Sequence, residues 1–286
     1  MGEEKRNSRD TGGEGKKEEE KKLRLLGLEP VERQHEMDVD GAKLAYRSRA
    51  GVIPLKDDEG ETRAEVYFTA YLREGVDDRS RRPLTFAFNG GPGSSSIWLH
   101  MGALGPKRVV MEPEGWMPAP PYRAEANPAT WLAFTDLVFV DPVGTGFSRA
   151  AKEKGYKDFL GFKGDIESVG EFIRLYLSRY SRWSSPLFLA GESYGTTRAA
   201  GLAHHLFGYG VGFSGLVLIS TALDLRPIFF RGDDDLPFQL FLPTYTATAW
   251  YHGKLDEELA KRELPELLAE VEDWAESELT VALMRG

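Results

Sequence analysis

Apolar and polar residues along the chain follow two periods. Ala64 to Leu72 (Ala-Glu-Val-Tyr-Phe-Thr-Ala-Tyr-Leu) is rich in β-branched and aromatic residues, which predicts a strand. Asp57-Asp58-Glu59-Gly60 before it is a turn signal, and a weaker alternation over Val31 to Arg47 places another strand near Lys43 to Arg47. Paired as a hairpin, these make an antiparallel sheet edge. Pro83 to Phe88, Leu137 to Val140, Leu187 to Ala190 and Gly215 to Ser220 are short apolar runs of the kind found in fully buried strands. Between them the period changes. Ile166, Val169, Ile173, Tyr176, Leu177 and Tyr180 recur at helical spacing over Asp165 to Tyr180, and Thr196 to Leu206 is Ala- and Leu-rich. Strand–helix–strand repetition predicts a mostly parallel sheet with right-handed crossovers.

Beyond Asp224 no further parallel strand is evident. Leu255 to Ala269 and Val271 to Met284 read as helical, with Pro265 breaking or opening a helix. The expected organisation is therefore a charged disordered tail over residues 1–22, an α/β core over 23–230, and a helical cap over 231–286 lying above the carboxyl edge of the sheet. Phe238, Phe241, Tyr245, Trp250 and Tyr251 line a pocket there or form the cap's own core. Pro113 to Pro128, with Trp116 and Tyr122, reads as a long irregular surface loop.

Composition narrows the function. The 286 residues suit one large α/β domain with an insertion, and 41% hydrophobic content supports a sizeable core. A net charge of −9 argues against nucleic acid or anionic membrane as partner. With no cysteine, disulfides, thiolate metal sites and thiol catalysis are excluded. Asp233-Asp234-Asp235 is spaced as a solvated turn and has no further ligand to complete a metal site, so neither metal nor cofactor is expected. The tail lacks the apolar core of a signal peptide and no apolar run is long enough to span a bilayer. As written, the chain is expected in the cytoplasm, with a longer leader left open.

The chemistry concentrates at strand ends. Gly191-Glu192-Ser193-Tyr194-Gly195 fits G-x-S-x-G between a strand and a helix, the context of a nucleophile elbow. There Ser193 sits on a strained turn, its flanking positions must lack bulk, and the helix N-terminus favours developing negative charge. Asn89-Gly90-Gly91-Pro92-Gly93-Ser94-Ser95-Ser96 after the Pro83–Phe88 strand is a tight main-chain loop. Such a loop bares backbone N–H groups, which an oxyanion hole needs; the predicted donors are the amides of Gly91 and Tyr194. No lysine follows to make it a phosphate-binding loop. Asp141 precedes the serine, opposite to the hydrolase order of serine, acid, histidine, and is expected to anchor its own loop, Asp141 to Ser148.

Taken in order, Asn89–Ser96, Leu104-Gly105-Pro106, Asn127 to Trp131, Asp141–Ser148 and Gly191–Gly195 resemble the serine carboxypeptidases, across roughly residues 40 to 255. The resemblance implies an α/β-hydrolase fold and removal of C-terminal residues from peptides through an acyl-enzyme on Ser193, with no cofactor. It implies that Asn89, Gly90 and Glu192 bind the terminal carboxylate of a peptide. Two carboxyl groups side by side share a proton, so Glu192 would donate as the acid. Three positions depart from the family pattern. Ala87 stands where a tryptophan is usual, Ser94 where a cysteine is, and Ala103 where a second glutamate partners the first. The last departure predicts activity extending toward neutral pH.

A serine needs a base, and in this family the histidine and its acid follow well downstream. His35 and His100 come too early, His204 and His205 lie roughly 16 Å along the elbow helix, and His252 falls in the cap. The expectation is an N-terminal fragment of a longer carboxypeptidase, with weak or no turnover. A non-catalytic remnant that keeps the site for binding, and an acyltransferase or esterase on the same scaffold, are the alternatives.

Overall fold

The computed structural model describes residues 23, 25–27, 29–222, 224–228, 230 and 234–285. The expected tail over 1–22, and Asp233, lie outside the described residues. By internal contacts the chain divides into a unit spanning Met1–Thr221 and another spanning Ala222–Gly286.

The first unit is an α/β structure. Its sheet starts with the antiparallel strands β1 (Val31–Val39), β2 (Ala42–Lys56) and β3 (Thr62–Arg73). The edge is thus three strands rather than a hairpin. Asp40 and Gly41 form the first turn, both at positive φ. Pro54 interrupts the sequence pattern of β2 without breaking the strand. Partner β1 ends at Val31 opposite Ala50, so Pro54 has no ladder bond to forfeit on that side.

Four parallel strands follow: β4 (Leu84–Phe88), β7 (Asp136–Val140), β9 (Leu187–Glu192) and β10 (Gly215–Ile219). They stand in the order β1-β2-β3-β7-β4-β9-β10, with the short β8 (Arg149–Ala150) on β3. The swap of β7 and β4 opens a crevice at the carboxyl ends of these strands, where such sheets bind ligands. A ribbon of β5 (Lys107–Val109) and β6 (Ala124–Ala126) stands apart, so part of the expected 113–128 loop is strand.

Alternation sorts the side chains onto two faces. Phe86, Phe88, Val138, Val140 and Leu189 join Phe172, Ile173, Tyr176 and Leu202 in one core. Those last four come from α2 (Gly161–Arg179), the expected amphipathic helix, and α3 (Tyr194–Phe207), the expected Ala- and Leu-rich one. Ala87, Leu137, Phe139 and Ala190 face the other way, against Leu99 and Leu104. These belong to the short α1 (Ile97–Leu99) and the π turn that continues it, His100–Leu104. At the opposite end of the strands Asp136 is fully buried and accepts from Arg82 Nε at 3.2 Å and Arg182 Nη1 at 2.7 Å.

The second unit is helical. It contains α4 (Leu236–Tyr251), α5 (Leu264–Trp274), a π turn Ala275–Leu279 and α6 (Thr280–Arg285). Pro265 opens α5 rather than breaking a helix, as proline in a first turn does. Of the expected aromatic cluster, Phe238, Phe241 and Tyr245 gather on Phe230. Trp250 instead donates to Arg262 O, and Tyr251 stands edge-on to His252. Asp234 accepts from Leu236 N, a local turn bond, and no group of potential metal ligands occurs among the described residues. No described helix is long and apolar enough to cross a membrane.

Candidate active site

Ser193 caps α3 with φ 57° and ψ −126°, a conformation that only a tightly held non-glycine residue keeps. Its own main chain holds it. Ser193 N donates to Ile219 O of β10 at 2.9 Å, and Thr196 N donates back to Ser193 O at 2.9 Å. The two glycines of the motif have direct steric reasons. A Cβ on Gly191 would fall 2.0 Å from Gly195 O, and one on Gly195 would fall 2.8 Å from Phe88 O. The elbow therefore presses backbone to backbone against itself and against the end of β4. At the first position of α3, the Tyr194 amide belongs to the helix turn that has no intrahelical acceptor.

The glycine loop after β4 interlocks with this elbow. A Cβ on Gly90 would fall 2.4 Å from Tyr194 N and 2.7 Å from Glu192 O. Gly91, at φ 107°, is exposed. An open pocket of about 570 Å³ is lined by Asn89, Gly91, Ser94, Trp98, Leu99, Gly102, Ala103, Glu192 and Ser193. The structure thus brings Ser193, Gly91, Asn89 and Glu192 to one depression, while Gly90 and Tyr194 form the buried contact beneath it.

Polar groups in the pocket are directed by one another. Asn89 is 1% exposed; its Nδ2 donates to Glu192 Oε2 at 3.0 Å and its Oδ1 accepts from Leu99 N at 2.9 Å. Among the described residues lining the pocket, Glu192 is the one ionisable side chain. Ala103 and Gly102 leave the wall beside it open, and Trp98, 71% exposed, stands at the rim. Trp98 escaped the sequence reading because an exposed tryptophan next to buried Leu99 carries no periodic signal.

Asp141 takes the anchoring place expected of it. Oδ1 accepts from Ser96 N at 2.9 Å and Oδ2 from Phe147 N at 3.4 Å, tying its own loop to the glycine loop. Burial pushes its carboxyl up from the ordinary aspartate range, against the pull of those two amides.

Three of the histidines of the first unit, His35, His100 and His205, are engaged elsewhere. His35 Nε2 is 2.8 Å from Ser48 Oγ. His100 Nε2 is 2.7 Å from the Tyr71 hydroxyl and its ring stacks on Phe139 at 4.5 Å; burial pushes it down to about 4. His204 and His205 occupy the last turn of α3, His205 against Tyr209. His252 follows α4 in the second unit. Among the described residues, no histidine is hydrogen-bonded to Ser193.

The sequence profile of the serine carboxypeptidase family matches residues 41–214. The pheromone-processing carboxypeptidase KEX1 of Saccharomyces cerevisiae is 31% identical over 156 residues, 51% of this chain and 20% of that protein. The serine carboxypeptidase-like 41 protein of Arabidopsis thaliana is 27% identical over 219 residues, 75% of this chain and 42% of that one. The crystal structure of the yeast prohormone-processing carboxypeptidase superposes with a TM-score of 0.51 at 20% identity, covering 80% of this chain and 53% of that chain. The likeness is one of fold, and the chain spans well under two thirds of the length of these relatives.

Proposed function

Because the chain belongs to the serine carboxypeptidase family, we propose that its pocket receives the C-terminus of a peptide and that Ser193 is the residue acylated. In this reading Ser193 Oγ attacks the last peptide carbonyl and the departing amino acid takes the proton. The Gly91 and Tyr194 amides hold the oxyanion, donors already fixed before charge develops. Asn89 Nδ2 and the Glu192 carboxyl receive the substrate's terminal carboxylate, the two carboxyl groups sharing one proton. Supporting this is one observation above all. A strained Ser193, an exposed Gly91 and the Asn89–Glu192 pair line a single open pocket.

Attack also requires a base to take the serine proton. His35, His100 and His205 are bonded or stacked elsewhere, and His204 stands exposed in the last turn of α3. That favours a second reading, a site that binds peptide ends without turning them over. Labelling by a fluorophosphonate probe separates the two. Covalent labelling of the wild-type chain well above a Ser193→Ala control supports the peptidase reading. Labelling equal to the control rejects acylation by this chain and leaves the binding reading, which predicts retention of a blocked dipeptide with a free carboxylate. An esterase or acyltransferase would instead consume an ester donor with alcohol and leave the dipeptide intact.

A further inference from the structure

Arg198 lies one turn and a half into α3 from Ser193 and is 1% exposed, the largest fully buried side chain among the described residues. Its Nε faces both oxygens of Asp165 on α2, at 3.0 and 2.8 Å. Its Nη1 donates to the main-chain carbonyl of Asn89 at 2.7 Å. The guanidinium carbon lies 5.2 Å from the Phe88 ring centroid and 5.3 Å from that of Tyr194. A buried cation is costly unless every donor is directed at a partner, and holding two helices together does not require one. The planar fork of arginine is suited to two acceptors in different directions, which a lysine ammonium cannot match on rigid geometry.

The acceptor matters. Asn89 is the last residue before the glycine loop, and its Oδ1 is already committed to Leu99 N. Fixing its carbonyl as well sets the peptide plane that leads into Gly90 and leaves Nδ2 the free arm, aimed at Glu192. The helix that carries the serine on its cap thus also grips the root of the loop that faces it.

We propose that Arg198 is a positioning residue: through the Asn89 carbonyl it aligns the Asn89–Glu192 pair and the Gly90–Gly91 loop with Ser193. The effect on ligands rests on the carboxylate-binding reading above; the effect on the main chain does not. The test uses the full chain with Arg198→Lys and Arg198→Gln, and Asp165→Asn for comparison. The amide nitrogen of Gly90, which follows the gripped carbonyl, and the Asn89 side-chain amide are followed by NMR. Binding of N-acetyl-phenylalanine is measured against its uncharged amide.

Both Arg198 variants should move the Gly90 and Asn89 resonances and lower the preference for the acid by about tenfold, the scale of one charge-assisted hydrogen bond. Lysine should restore more of the preference than glutamine. Asp165→Asn should lower stability while moving those resonances less, because the Arg198–Asn89 bond survives. A folded Arg198→Lys chain with wild-type resonances overturns the proposal, and so does failure of both Arg198 variants to fold, which would make the residue a stability element. If the wild-type chain shows no preference for the acid, the carboxylate reading fails, while the resonances still decide the positioning role.

Discussion

Adding one methyl group at Gly90 should force the glycine loop and the serine elbow apart. A Cβ there falls 2.4 Å from Tyr194 N, 2.7 Å from Glu192 O and 3.0 Å from Gly195 N. All three are main-chain atoms, so no side chain can swing away. Ordinary contact lies near 3.5 Å, and the loop and elbow must therefore separate by roughly 1 Å. Overpacking a rigid site costs about 1–3 kcal/mol, and a main-chain obstacle puts Gly90→Ala at the upper end, about 3 kcal/mol. On the proposed peptidase reading, a 1 Å displacement would also take the Gly91 amide out of reach of an oxyanion, worth roughly a hundredfold in the rate of Ser193 acylation. Urea unfolding measures the first quantity and the time course of fluorophosphonate labelling the second. Gly102→Ala is the control: it lines the same pocket, yet nothing lies within 4 Å of its added methyl, and its stability should stay within about 1 kcal/mol of wild type. A Gly90→Ala chain as stable as the Gly102→Ala chain would refute the interlock.

Three further outcomes follow from described groups. His100 is held neutral with its value pushed down to about 4 from 6.5, so the unfolded chain binds the extra proton first; stability is whole above pH 6.5 and falls as pH drops toward 4, by up to about 3 kcal/mol. Subtracting the pH–stability curve of His100→Phe from that of wild type should isolate this fall, and a flat difference rejects it. Ser193→Gly should be about 1 kcal/mol more stable than Ser193→Ala, since glycine relaxes the positive φ that alanine must keep; equal melting midpoints would show that the turn is unstrained. Asp136→Asn leaves Arg82 and Arg182 without their shared buried carboxylate and should cost about 3–5 kcal/mol in denaturant melts, and a loss below 1 kcal/mol would contradict that role.

Much of this was legible before any coordinates. The parallel strands β4, β7 and β9 are buried on both faces, so they appear as unbroken apolar runs, and α2 shows its buried stripe at helical spacing. The elbow was legible because its glycines answer a steric need at close range. The long β2 was not, since Gly51 and Pro54 are strand breakers by composition, and only the end of β1 shows why Pro54 is tolerated there. Nor was α4, whose apolar residues run all round and leave no period to detect. Arg198 stayed hidden for a different reason. Its partners Asp165 and Asn89 are distant in sequence, and a single arginine in an alanine-rich helix reads as a solvent-facing charge.

Strand β10 has a practical consequence for anyone handling the protein. Among the described residues it pairs with β9 alone, and Leu216 and Leu218, each 39% exposed, share one of its faces. Its unpaired N–H and C=O groups beside two leucines form a sticky seam. Concentrated preparations should self-associate through it in a way that added salt does not prevent, and a lysine in place of Leu216 should keep the protein dispersed. The seam ends at Ile219, whose carbonyl holds the serine's own amide, so whatever adheres along β10 acts on the corner that carries Ser193.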